Sequence, residues 1–137
     1  MKQRITKKDT RNLDKILDLM VQKYLKYEIG SDFLLEDISI TRKEIKEKFG
    51  FTDLQVSKYL HLMYCKKTTD LKFIDTDEDG DLFRAMDKGI EFYFNGGFQK
   101  ERIDKIKDRA INYYSVIVGV IVGIIGAISI IYNLFCD

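Results

Sequence analysis

Residues 41–64 read TRKEIKEKFGFTDLQVSKYLHLMY, and the same start signal occurs in them twice. Thr41 is followed three residues on by Glu44, and Thr52 three residues on by Gln55. That spacing is a capping box: the hydroxyl accepts from an amide of the first helical turn, and the longer side chain reaches back to the threonine amide. The first helix is predicted to run through Ile45 and Phe49 to Gly50. The second buries Val56, Tyr59, Leu60 and Met63, apolar positions at steps of three and four. Gly50 and Phe51 leave room for a sharp turn, so two helices stand in tandem.

Upstream, Leu13, Ile16, Leu17, Met20, Val21, Tyr24 and Leu25 make one helical face from Thr10 onward, with Asp9 or Thr10 as the expected cap and Gly30 as the stop. The stretch DISI, residues 37–40, is predicted to be extended. Downstream of KKTTD, the runs LKFID (71–75) and LFRAM (82–86) bracket a hairpin tip made of carboxylates: Asp75, Asp77, Glu78, Asp79 and Asp81. Asp79-Gly80 supplies the tight bend. DKGIEFYFNGG (87–97) gives one more short helix, ended by Gly96 and Gly97.

Helix, short strand, helix, helix, hairpin, helix is an order that resembles the winged helix-turn-helix family over about residues 8–98. The resemblance is carried by residues 41–64 and by LKFIDTDEDGDLFRAMDKGIEFYFNGGF, residues 71–98. It implies a mainly α fold with a small β-hairpin wing (α+β), a second tandem helix at about Asp53–Cys65 that enters the major groove, and a wing on the DNA backbone. The family usually has Thr or Ser where Met86 stands, so Asp87 is the expected replacement cap.

The residues at those positions argue against DNA. On the exposed face of the second helix stand Asp53, Gln55, Lys58, His61 and Leu62; Gln55, Lys58 and His61 can meet bases, but the helix has no arginine. A carboxylate wing loses Coulomb energy beside each phosphate. The acidic tip is therefore expected to dock a basic protein partner. A membrane-tethered DNA-binding transcription regulator is the alternative, with nucleic acid the less favoured partner.

Asp75, Asp77, Asp79 and Gly80 also match the opening of a calcium loop, with Asp81 in the same run. The twelfth position, which should give a bidentate carboxylate, is Met86, and a hairpin lacks the flanking helices. No metal site is expected there, and a divalent-cation-responsive switch is the weaker alternative. The chain reads as no enzyme and needs no cofactor. It has one histidine, no serine in a nucleophile setting, no Gly-rich phosphate loop and no paired Cys/His spacing. His61 reads as a surface or half-buried helix residue.

The formal net charge of +1 conceals a division of the chain. Residues 1–97 carry 18 Lys+Arg and 18 Asp+Glu. Then Lys100, Arg102, Lys105, Lys107 and Arg109 cluster before SVIVGVIVGIIGAISIIYNLF, residues 115–135, which has no ionisable group but a tyrosine phenol. As a helix its 21 residues reach about 31 Å, the thickness of a bilayer's hydrocarbon. Tyr113 and Tyr114 at one end and Tyr132 and Phe135 at the other form aromatic belts.

The predicted organisation is a basic N-terminal arm (1–9, with Lys2, Arg4, Lys7 and Lys8, and Arg11 just beyond), the winged domain (10–97), a basic amphipathic juxtamembrane helix (98–114), a transmembrane helix (115–135) and a two-residue far-side tail (136–137). The arm lacks the apolar run of a secretory signal, and the basic cluster before the span keeps the N-terminal domain in the cytoplasm of a bacterial cell. The five cations sit at lipid headgroups. Cys65 and Cys136 then face different compartments and cannot pair within one chain.

Within the span, Ser115, Gly119, Gly123 and Ala127 recur every four residues as a G-x-x-x-G ridge. A competing seam takes Ser115, Gly119, Val122, Gly126, Ser129 and Asn133 at steps of three and four. Either predicts a homo-oligomer. The expected function is a tail-anchored membrane protein that displays a recognition module for a protein partner, as an adaptor or a membrane effector.

Overall fold

A computed structural model describes residues 5–27, 35–65, 67–68 and 71–135. Gly30, Lys2, Arg4, Cys136 and Asp137, which the sequence reading assigns to a helix stop, the basic arm and the far-side tail, lie outside them. The chain divides into two compact units, Met1–Glu101 and Arg102–Asp137. The first unit is mainly helical with a small antiparallel sheet; the second is the continuation of one long helix.

Helix α1, Lys7–Tyr27, is the spine of the first unit. Its apolar stripe, Leu13, Ile16, Leu17, Met20 and Val21, is fully buried, each side chain contributing roughly 1.5–3 kcal/mol of transfer free energy. The helix begins earlier than its apolar face. Thr6 is the cap: its Oγ1 accepts the Asp9 amide at 3.1 Å, and Asp9 Oδ2 accepts the Thr6 amide at 2.9 Å. Asp9 and Thr10, expected as caps, are helical instead, because the reciprocal pair lies one turn before the first core residue.

The DISI stretch divides. Leu35–Ile38 form one helical turn, α2, and the strand β1 is Ile40–Thr41. Thr41 then caps α3, Arg42–Phe49, with the complete capping box to Glu44, and Gly50 closes that helix in the left-handed region at φ 67°. Thr52 and Gln55 form the second capping box and start α4, Asp53–Tyr64. A small hairpin not anticipated from KKTTD follows, β2 (Lys67–Thr68) against β3 (Leu71–Lys72).

Strands β4, Ile74–Thr76, and β5, Leu82–Ala85, pair antiparallel through Ile74–Ala85, Asp75–Arg84 and Thr76–Phe83. Strand β1 joins the other edge of β5, giving the order β1-β5-β4. Ile40, Ile74, Phe83 and Ala85 point from this sheet into the core with Ile45, Val56, Tyr59, Leu60 and Met63.

Helix α5 is Asp87–Phe94. Its N-cap is Met86, which has no side-chain acceptor and makes no cap hydrogen bond; Asp87 stands inside the first turn and does not replace it. The Met86 amide instead donates to Phe73 O at 2.9 Å. Gly96 and Gly97 both have positive φ, and α6 runs uninterrupted from Gly97 to Phe135. The charged segment 98–114 and the apolar segment 115–135, expected as separate units, thus fall in one helix of 39 residues.

Candidate functional site

Helix α4 lies beside the β4–β5 hairpin, and the residues nominated from sequence on its outer face prove to be engaged within the chain. Gln55 Oε1 accepts the Thr52 amide at 2.9 Å, holding that side chain at the helix start. Lys58 Nζ reaches Asp9 Oδ1 at 2.8 Å, and Asp9 also accepts from the Tyr59 hydroxyl, which accepts in turn from Asn12 Nδ2. Burial alone raises the Asp9 pKa, but the hydrogen bonds from Lys58 and Thr6 outweigh it and hold the carboxyl down at about 2. His61 is exposed, with its ring against Cys65 Sγ. Asp53 pairs with Lys46 at 2.9 Å, and Leu62 packs partly against the core.

Two residues on this face escaped the sequence reading. Leu54 is 81% exposed at the first turn of α4. Arg42, from α3, donates to Ser57 Oγ at 2.9 Å and lies over the Phe83 ring at 5.4 Å. It borders a groove of about 220 Å³ together with Ser57, His61, Tyr64, Thr76 and Phe83. No local spacing announces the Arg42 contacts, because they depend on how α3, α4 and the hairpin pack.

The acidic tip is a hydrogen-bonded turn. Asp77 Oδ1 accepts the amides of Asp81 at 2.8 Å and Leu82 at 2.9 Å, and Gly80 takes the bend at φ 74°. Those amides, Leu82 foremost, lower the Asp77 pKa. Asp75 faces across the ladder to Arg84 at 3.2 Å and to Lys72 at 3.7 Å. Glu78, Asp79 and Asp81 are exposed. The carboxylates therefore diverge, and among the described residues no three Asp, Glu, His or Cys side chains converge on an ion position.

A second, larger depression of about 450 Å³ is lined by Arg11, Asp14, Lys15, Asp18, Tyr93 and Gln99. Both of its carboxylates are occupied. Asp18 accepts the Tyr93 hydroxyl at 2.5 Å, which raises the Tyr93 pKa. Asp14 accepts the amides of Phe98 at 2.7 Å and Gln99 at 3.0 Å, capping α6 from another helix.

In the second unit, α6 contains a stretch long and apolar enough to cross a membrane, none of it buried within the chain. Ser115, Gly119, Gly123, Gly126, Ala127, Ser129 and Asn133 are all exposed along it. A Cβ added at Gly119, Gly123 or Gly126 meets nothing within 4 Å. Ser129 Oγ donates to Ile125 O at 3.0 Å, so its hydroxyl is satisfied inside the helix. On the same helix Lys100, Lys105, Lys107 and Arg109 are exposed and Arg102 is half-buried. Phe98, the first residue of the segment expected as an amphipathic juxtamembrane helix, is buried in the core of the first unit.

No protein-family model matches the sequence, and no curated protein or solved structure is significantly similar to it.

Proposed function

We propose that this chain is a single-pass membrane protein whose first unit is a winged helix-turn-helix module held in the cytoplasm for recognition of a protein partner. The observation that carries the membrane reading is α6: its apolar stretch has no cover within the chain. Ile and Val side chains left in water forfeit roughly 1.5–3 kcal/mol each, and an apolar surface of that extent marks a lipid or protein contact. Supporting the winged module are the tandem capped helices, the β1-β5-β4 sheet and the hairpin between α4 and α5. A protein partner is favoured over DNA because Gln55 and Lys58 have internal partners and exposed Glu78, Asp79 and Asp81 form the hairpin tip.

The first test is fractionation. The intact chain should stay in the membrane pellet through an alkaline wash and leave it with detergent; recovery in the aqueous supernatant overturns the reading. The DNA-regulator alternative draws on Arg42, a cation beside the outer face of α4. Full chain in neutral-lipid nanodiscs, mixed with random duplex at low and moderate salt, separates the two. Tight binding that falls steeply with salt establishes the DNA reading, and its absence leaves protein recognition. The ion-switch alternative draws no support from Asp77, whose Oδ1 already holds two backbone amides.

A further inference from the structure

The charged start of the second unit carries an apolar stripe of its own. At about 100° per residue, Ile103, Ile106, Ala110 and Tyr113 fall within an arc of about 80° on α6. Their spacing is that of heptad positions a, d, a and d. Ile103 is 49% exposed, Ile106 50% and Tyr113 68%. Arg102 and Arg109 border the arc on one side, at position g, and Lys107 borders it on the other, at position e. Asp104 and Asp108 project from the far side of the helix. Among the described residues, none of the three cations has a carboxylate at ion-pair distance.

Lipid is out of reach of this stripe when α6 crosses the bilayer from Ser115. The helix is unbroken, and no glycine or proline stands between Gly97 and Gly119 to turn it into the membrane plane. Ile103 then lies about 18 Å and Ile106 about 14 Å along the axis from Ser115, against roughly 5–8 Å for the headgroup layer. A tilt of about 40° still leaves Ile103 about 14 Å from the hydrocarbon. A second copy fits no better. Copies inserted in one orientation pair in parallel, which sets Arg102 of one against Lys107 of the other, cation against cation. Gly119 and Gly126 project from the opposite side of α6, so association through them leaves the stripe open.

We propose that Ile103, Ile106, Ala110 and Tyr113 dock an acidic amphipathic helix of another protein, whose apolar seam packs on the stripe and whose Asp or Glu side chains pair with Arg102, Lys107 and Arg109. Charge complementarity selects this occupant: carboxylates at the flanking positions turn the repulsion between like cations into attraction. The inference rests on the membrane reading of α6, which is what removes lipid as the cover.

The probe is a labelled peptide of about three heptads with Ile at a, Leu at d and Glu at e and g; its twin with Lys at e and g stands for a second copy. Each is titrated by fluorescence anisotropy against the full chain in neutral-lipid nanodiscs. The Glu peptide should bind saturably and more weakly as salt rises, and the Lys peptide should not bind. Ile103→Gln with Ile106→Gln keeps every charge and should weaken the Glu peptide by more than about tenfold. Lys107→Gln with Arg109→Gln should weaken it and remove most of the salt dependence. Helical circular dichroism equal to that of the parent shows that each variant is folded. No binding of the Glu peptide, equal binding of the Lys peptide, or undiminished binding by either variant overturns the proposal. Loss of Glu-peptide binding when anionic lipid is added to the discs would place lipid on the stripe, and overturns it too. A chain that fails to enter the discs refutes the membrane reading itself, and this inference with it.

Discussion

Asp9 concentrates more of the first unit's polar chemistry than any apolar pattern discloses. It is 6% exposed, completes the start of α1 with Thr6, and holds Lys58 of α4 at 2.8 Å. Its pKa falls from the ordinary 3.8 to about 2, so the ionised form favours the fold. The sign follows: stabilisation of roughly 2 kcal/mol is complete above about pH 4 and is lost as pH falls toward 2. Asp9→Asn should lower stability at neutral pH by about 2 kcal/mol and flatten the pH dependence in that window. Urea melts at pH 7 and pH 2.5 measure both effects, and an unchanged slope shows that another carboxylate governs acid unfolding. Gly89 is a second decisive residue. An added Cβ would lie 2.2 Å from Phe73 O, a carbonyl already fixed by the Met86 amide at 2.9 Å. Alanine there gains about 1 kcal/mol of helix propensity, but overpacking costs about 1–3 kcal/mol against a backbone that cannot yield. Gly89→Ala should therefore lower the melting temperature, whereas a rise would mean that the contact between α5 and Phe73 relaxes freely.

The elements differ in how their ends are fixed, and α6 is the case with a consequence. Its first turn is capped by Asp14 of α1, which accepts from Phe98 and Gln99, while Gly97 at φ 62° brings the backbone so close that a Cβ would lie 2.4 Å from Asp14 Oδ1. Removing such a cap costs about 0.5–2 kcal/mol. Asp14→Ala should speed hydrogen exchange at the Phe98 and Gln99 amides well beyond any change at the core of α1; equal protection in the two proteins refutes the cap. This contact joins residues 84 positions apart, and the Asp9–Lys58 contact joins residues 49 apart, so periodicity and local spacing carry no trace of either. What was legible is what is local. The capping boxes at Thr41 and Thr52, the hairpin, its Asp79-Gly80 bend and the apolar faces of α1 and α4 each follow from residues within a few positions of one another. The start of α1 differs from expectation because Asp, not Glu or Gln, answers Thr6, and the pair stands ahead of the first apolar residue of the stripe. Exposed Leu54 and the Arg42 contact to Phe83 depend on how two helices and a hairpin pack, which no single stretch encodes.

For the whole molecule, the proposed span in α6 also offers small-residue surfaces to other helices, and the helix geometry decides which of them can act together. At about 100° per residue, Gly119 and Gly126 project about 20° apart, whereas Gly123 and Gly126 project about 60° apart. Ser115 and Gly119 are therefore common to the ridge and the seam, and what separates them is Gly123 on one side and Gly126 with Ser129 on the other, suited to right-handed and left-handed crossings respectively. Leucine at any of the three glycines has open space within the single chain, so the substitution leaves the isolated helix undisturbed and keeps the span apolar. Ser129→Leu removes one hydroxyl that was satisfied by Ile125 O, again without orphaning a buried partner. Loss of association in these variants can therefore be assigned to a helix–helix contact. Gly123→Leu, and separately Gly126→Leu with Ser129→Leu, should leave membrane insertion intact. One of the two should reduce oligomer size, measured by cross-linking in bilayers, far more than the other. The variant that acts identifies the crossing hand. Equal oligomer size in both variants and the parent means that the small residues only thin the helix, and that association through α6 must be abandoned.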